Sequence, residues 1–151
     1  MEKITKNERS TFERLGGVEG VRTLANCFYG IMDSMPEARK IREMHPRNIE
    51  VTCENFTLFL CGWLGGPPLY KEKYGSLNLT GLHALLKINE SERDMWLLCM
   101  EQAIEQQDIE DDLKKELIAR FRVPAEKIYN WCQQQFLQSS NLSNQPKVKI
   151  S

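Results

Sequence analysis

Apolar residues recur at three- and four-residue spacing through Leu24, Phe28, Ile31 and Met35, and again through Ile49, Cys53, Phe56, Leu60 and Trp63. That spacing lines one face of an α-helix, so both stretches read as amphipathic helices facing a core. Gly16-Gly17 separates a short N-terminal helix from the first of them. Pro36 suits the opening turn of another short helix, and His45-Pro46 ends it, because the residue before a proline avoids helical dihedrals. Asn48 can cap the helix that follows, which runs to Leu64. Gly65-Gly66-Pro67-Pro68 stops that helix, and no period continues to about Asn78, which predicts an extended covering loop. After a short turn over residues 80–86, Ser91-Glu92-Arg93-Asp94 reads as a capping box opening a helix through Trp96, Cys99, Met100 and Ala103. A last helix is expected over residues 109–137, with a kink at Pro124, whose ring and missing N–H cost ~3 kcal/mol in a straight helix. No period-two strand pattern and no repeat occurs, so the chain is predicted to be all-α.

At 151 residues and 41% hydrophobic content, one compact domain over residues 1–138 is expected. Residues 139–151, rich in Ser, Asn and Lys, are expected to form a mobile C-terminal tail, because they cannot bury enough surface to offset ordering entropy. Charged residues nearly cancel at a net charge of -1, leaving no basic stripe for nucleic acid. No apolar run approaches the ~18–20 residues of a membrane span, and no apolar leader follows Met1-Glu2-Lys3, which predicts a cytoplasmic protein without a membrane partner. Cys27, Cys53, Cys61, Cys99 and Cys132 form no C-x-x-C pair, which argues for reduced thiols over a disulfide framework or a zinc site.

Two histidines exist. His83 lies in the apolar turn LTGLHALL, where taken alone it is more often a core imidazole satisfied by a carbonyl than a ligand. Tyr29 and Trp96 have the same plain reading as buried aromatics, His45 as a ring bonded to a nearby carbonyl, and Trp63 as packing.

Three blocks change that weighting: residues 61–75 (CGWLGGPPLYKEKYG), 83–88 (HALLKI) and 92–100 (ERDMWLLCM). With Leu15-Gly16-Gly17-Val18 and residues 28–38 (FYGIMDSMPEA) upstream, their order and spacing resemble group II truncated haemoglobins over residues 11–131. The resemblance implies a truncated globin fold, a two-over-two helical sandwich of helix B with E and G with H around haem b. It implies that His83 holds the iron, that Tyr29 on the B helix is the distal tyrosine, and that His45 and Trp96 complete the polar distal side. Thr52, Phe56 and Leu60 would face the ligand from the E helix, and Tyr70, Tyr74, Leu79, Leu82 and Ile88 would add further haem contacts.

In such a site a neutral imidazole donates a lone pair to iron and leaves the sixth position for dioxygen, nitric oxide or carbon monoxide. The Tyr29 hydroxyl and Trp96 indole would stabilise negative charge on the ligand, each hydrogen bond contributing ~0.5–1.5 kcal/mol net. The function implied is oxygen binding and transport or nitric oxide handling, with a reductase of unspecified identity and a homodimer as the protein partners. The alternatives are a haem enzyme, such as a nitric oxide dioxygenase or a peroxidase-like catalyst, and a globin-fold module without haem.

The chain departs from the family pattern where His-Pro, arginines and a later Pro-Phe are usual. It carries Ser76-Leu77-Asn78-Leu79-Thr80-Gly81-Leu82 before His83 and Ala84-Leu85-Leu86 after it. Lys71, Lys73 and Lys87 are then the candidate partners for the haem propionates. Exposed ion pairs are worth ~0–1 kcal/mol, whereas burying several hundred Å² of porphyrin at ~25 cal/mol per Å² gives on the order of 10 kcal/mol, so haem binding is expected to survive the change.

Overall fold

The structure, a computed structural model, describes residues 9–76 and 88–144. Regular structure among them is helical throughout: α1 (Thr11–Leu15), α2 (Gly17–Ser34), a 3-10 turn (Pro36–Ala38), α3 (Arg39–Glu43), α4 (Glu50–Trp63), α5 (Leu69–Tyr74), α6 (Glu90–Glu105) and α7 (Asp111–Asn144). The chain packs α2 against both α4 and α6, and α6 against α7. These are the two expected pairs, with α2 and α4 in the places of B and E, and α6 and α7 in those of G and H.

Local chemistry explains most boundaries. Gly16 ends α1 at φ +111, a left-handed backbone where a side chain would be strained, and its N–H returns to the carbonyls of Phe12 and Glu13. Pro36 opens the 3-10 turn after an extended Met35, as the proline requires. Asn48 Oδ1 accepts the Glu50 N–H at 3.0 Å at the start of α4. Where α4 ends, a Cβ on Gly66 would lie 2.5 Å from the Phe12 ring, so the missing side chain lets α1 dock. The Phe12 N–H closes that junction on the Leu64 carbonyl at 2.9 Å.

Three expectations are corrected. The covering segment after Gly65 is not an extended loop throughout, because Leu69–Tyr74 forms α5 directly after Pro67-Pro68. Six residues are too few to display a helical period. The capping box sits two residues earlier than Ser91, on Asn89 and Glu92, with the Glu92 carboxylate accepting the Asn89 N–H at 3.1 Å. Ser91 instead gives its hydroxyl to that carboxylate. Helix α7 begins at Asp111 and runs through Pro124 to Asn144, well past Leu137.

The core draws on the inward faces of four helices: Val21, Leu24, Phe28 and Met32 from α2; Leu60 and Cys61 from α4; Met100 and Ile104 from α6; Leu113, Leu117 and Phe121 from α7. Each large apolar side chain contributes ~1.5–3 kcal/mol by leaving water. The two buried polar side chains among the described residues, Thr57 and Glu92, are answered within the chain. The buried Thr57 hydroxyl donates to the Cys53 carbonyl at 2.9 Å. Glu92, 4% exposed, meets Lys40 of α3 at 3.4 Å. Burial pushes its carboxyl up, but Ser91, the Asn89 N–H and Lys40 together hold it below the usual range. None of the five cysteines is in a disulfide.

Candidate functional site

The 3.6-residue period of α2 places Phe28 and Tyr29 on its buried face, where α4 presents Phe56 and α6 presents Trp96. The rings form one cluster. Phe28 lies 4.9 Å from Tyr29, 5.1 Å from Trp96 and 5.8 Å from Phe56 between centroids. Tyr29 is 5.9 Å from Phe56 and 5.7 Å from His45, which follows α3. Trp96 closes the ring at 6.4 Å from Phe56. Residues 67 positions apart in the chain, Tyr29 and Trp96, thus join one aromatic cluster with the apolar Phe28 and Phe56 between them.

Tyr29 is 7% exposed, and burial pushes its phenol well above the usual range, so it stays a protonated donor at neutral pH. Its hydroxyl finds no hydrogen-bond acceptor among the described residues, and neither does the Trp96 indole. Neither atom is among the buried side-chain polar atoms without a partner, so each is still reached from outside the chain, which fits a group kept for something other than the protein. His45 differs. Its Nδ1 lies 2.8 Å from the Ile41 carbonyl, and a carbonyl only accepts, so Nδ1 carries the proton. In the neutral ring Nε2 is then an acceptor, and His45 can donate there only as imidazolium.

Other predicted residues fall in several places. Leu60 is fully buried on α4 one turn beyond Phe56, and Thr52 is half-buried one turn before it. Tyr70 and Tyr74 pair on α5 at 5.0 Å, with Tyr70 6.5 Å from Phe59, and Tyr74 is 49% exposed. Ile88 is half-buried, its carbonyl accepting from Gln133 at 3.1 Å. Leu79, Leu82 and His83, with the turn over residues 80–86 and Lys87, lie outside the described residues. Lys71 and Lys73 are exposed on α5. Among the described residues no cluster of His, Cys, Asp or Glu could hold a metal ion, and no helix is long and apolar enough to cross a membrane.

Sequence reading did not foresee the central place of Phe28, nor the bridge by which Phe121 joins Trp96 at 5.9 Å to Trp63 at 5.1 Å. Spacing along one helix marks a buried face, but nothing in it says which facing ring it meets. Among the described residues the Trp131 indole N–H is the one buried side-chain donor without a partner, and no motif marks it.

Residues 10–130 match the bacterial-like globin family. The chain is 30% identical over 114 residues to the group 2 truncated hemoglobin YjbI of Bacillus subtilis, covering 76% of this chain and 84% of that protein. Its fold matches a cold-adapted truncated hemoglobin of Pseudoalteromonas haloplanktis with TM-score 0.78 and 33% identity, covering 81% of this chain and 98% of the other. A group II 2-on-2 hemoglobin of Agrobacterium tumefaciens matches with TM-score 0.77 and 34% identity, over 85% and 97% of the two chains.

Proposed function

The chain belongs to the bacterial-like globin family, haem-binding proteins that handle diatomic ligands, and from that premise we propose that residues 1–138 form a domain that holds haem b on His83 and binds dioxygen, nitric oxide or carbon monoxide on the side of Tyr29. The observation that carries this reading is that Tyr29, 7% exposed among aromatic rings, presents a hydroxyl that has no acceptor among the described residues and is still reached from outside the chain. When bound, haem would supply an iron able to take up a small diatomic ligand.

The chain's own residues then divide the work. His83 would hold the iron, while Thr52, Leu60, Tyr70, Tyr74, Leu79, Leu82 and Ile88 would wall the porphyrin. Phe28 and Phe56 place apolar rings beside Tyr29, and an apolar surrounding would strengthen a hydrogen bond made there. Tyr29 donates from its hydroxyl and Trp96 from its indole nitrogen, each contributing ~0.5–1.5 kcal/mol to retention of a ligand that carries negative charge. His45, with Nδ1 held on the Ile41 carbonyl, would offer Nε2 of a neutral ring as an acceptor to a neighbouring donor. Retention of dioxygen for oxygen or nitric oxide handling follows from that donor set.

Absorption spectroscopy tests the reading. The protein, as purified or after addition of hemin, is expected to show a Soret band that shifts on reduction and on exposure to carbon monoxide. Colourless protein that takes up no added hemin overturns it.

A further inference from the structure

Between α1, the C-terminal end of α4 and α7 lies an open cleft of about 410 Å³, walled by Arg9, Thr11, Arg14, Trp63, Glu116 and Arg120 among others. Three cations share it with a single carboxylate. Arg14 takes that carboxylate, reaching both Glu116 oxygens at 3.2 Å. Thr11 gives its hydroxyl to Glu116 at 2.9 Å, which turns its lone pairs toward Arg120. Arg120 donates to Thr11 Oγ1 at 3.0 Å and to the Trp63 carbonyl at 2.9 Å, with its guanidinium 4.8 Å over the Trp63 ring.

Every one of those Arg120 partners is neutral. Among the described residues no carboxylate lies within ion-pair distance of it, and the half-buried guanidinium faces Glu116 only across the Thr11 hydroxyl, so three cations share one carboxylate and positive charge is left in excess. Two of its five N–H donors are used in these contacts, and the planar fork matches an oxyanion in two-pronged geometry. Arg9 stands exposed at the rim and adds a further charge. A partly desolvated charge is costly without a counter-ion, and the cleft has room for one larger than chloride.

We propose that this cleft is a binding site for a small oxyanion of two or more negative charges, of the phosphoryl or polycarboxylate kind, gripped by Arg120 and Arg9 with Arg14 held in place by Glu116. Trp63 forms part of its wall and reaches Trp96 of the distal cluster through Phe121 alone, so an occupant touches a ring two contacts from the candidate ligand site. The inference does not depend on haem.

Isothermal titration of the full-length, haem-loaded protein with pyrophosphate, and in a parallel arm with citrate, at fixed ionic strength tests it. Saturable binding of one equivalent in either arm is expected, and the stronger arm identifies the class. Arg120→Gln is expected to weaken binding about tenfold or more, as loss of a charge-assisted pair implies. Arg9→Gln, at the exposed rim, weakens it several-fold without risk to the fold. Arg39→Gln, an exposed arginine paired with Glu43 elsewhere, leaves it unchanged. Absence of saturable heat in both arms, or equal weakening by Arg9→Gln and Arg39→Gln, overturns the proposal.

Discussion

Trp96 and Trp63 both pack on Phe121, at 5.9 and 5.1 Å, yet their surroundings are opposite. Around Trp63 the polar groups close on one another: Arg120 on the Trp63 carbonyl and Thr11, Thr11 and Arg14 on Glu116. Around Trp96 the neighbours are rings, and the donors of Trp96 and Tyr29 have no acceptor among the described residues. Hydrogen bonds closed within the chain tie α1, α4 and α7 together. Donors without an acceptor in the chain add nothing to folding and are left for a ligand to meet.

The largest test of this contrast removes the ring that holds the open side together. Phe28→Ala deletes a fully buried side chain touching Tyr29, Phe56 and Trp96, and is expected to cost ~3–5 kcal/mol of stability in urea unfolding. A cost below about 1 kcal/mol would show that the cluster is not a packed wall.

Changing only the donor should separate stability from function. Tyr29→Phe is expected to leave stability within about 1 kcal/mol, because the hydroxyl it removes has no partner to lose. The same change is expected to speed dioxygen dissociation about tenfold, the equivalent of ~1.4 kcal/mol, with a smaller effect on carbon monoxide, which carries less negative charge when bound. Trp96→Phe should act in the same direction, and the double variant should fall short of additivity if both donors serve one ligand. Equal acceleration of both gases would assign these residues to access and not to charge.

The smallest effect belongs to the closed class and concerns pH. Glu92 titrates below its ordinary value of 4.5 in the folded chain. Its contribution is therefore present above that value and is lost as pH falls through the lower folded one. The stability advantage of wild type over Glu92→Gln, followed by urea midpoints, is expected to hold from neutrality to about pH 5 and to shrink below it. An advantage that persists unchanged to pH 3 contradicts the pairing with Asn89, Ser91 and Lys40.

Much of this was legible in the sequence, for reasons that differ by residue. The faces of α2 and α4 follow from apolar spacing, because a helix that buries one side must repeat near every 3.6 residues. Gly16 and Pro36 marked boundaries because their backbones permit little else there. The polar extension of α7 beyond Leu137 was not legible, since residues with no apolar period can continue a helix that packing has already nucleated. Tyr29, His45, Phe56 and Trp96 were selected by resemblance, and the structure brings those four into one cluster. The carbonyl that fixes the His45 tautomer and the neutral partners of Arg120 depend on backbone geometry and on contacts across 57 residues, which no local pattern encodes.

Whether His83 holds a haem iron is decided by the ferrous spectra of His83→Gly. Loss of tight haem binding, or altered deoxy and carbonyl bands that free imidazole restores, is the predicted result, because the imidazole would replace the missing ligand. Deoxy and carbonyl spectra identical to those of the unmodified protein, without added imidazole, would contradict it.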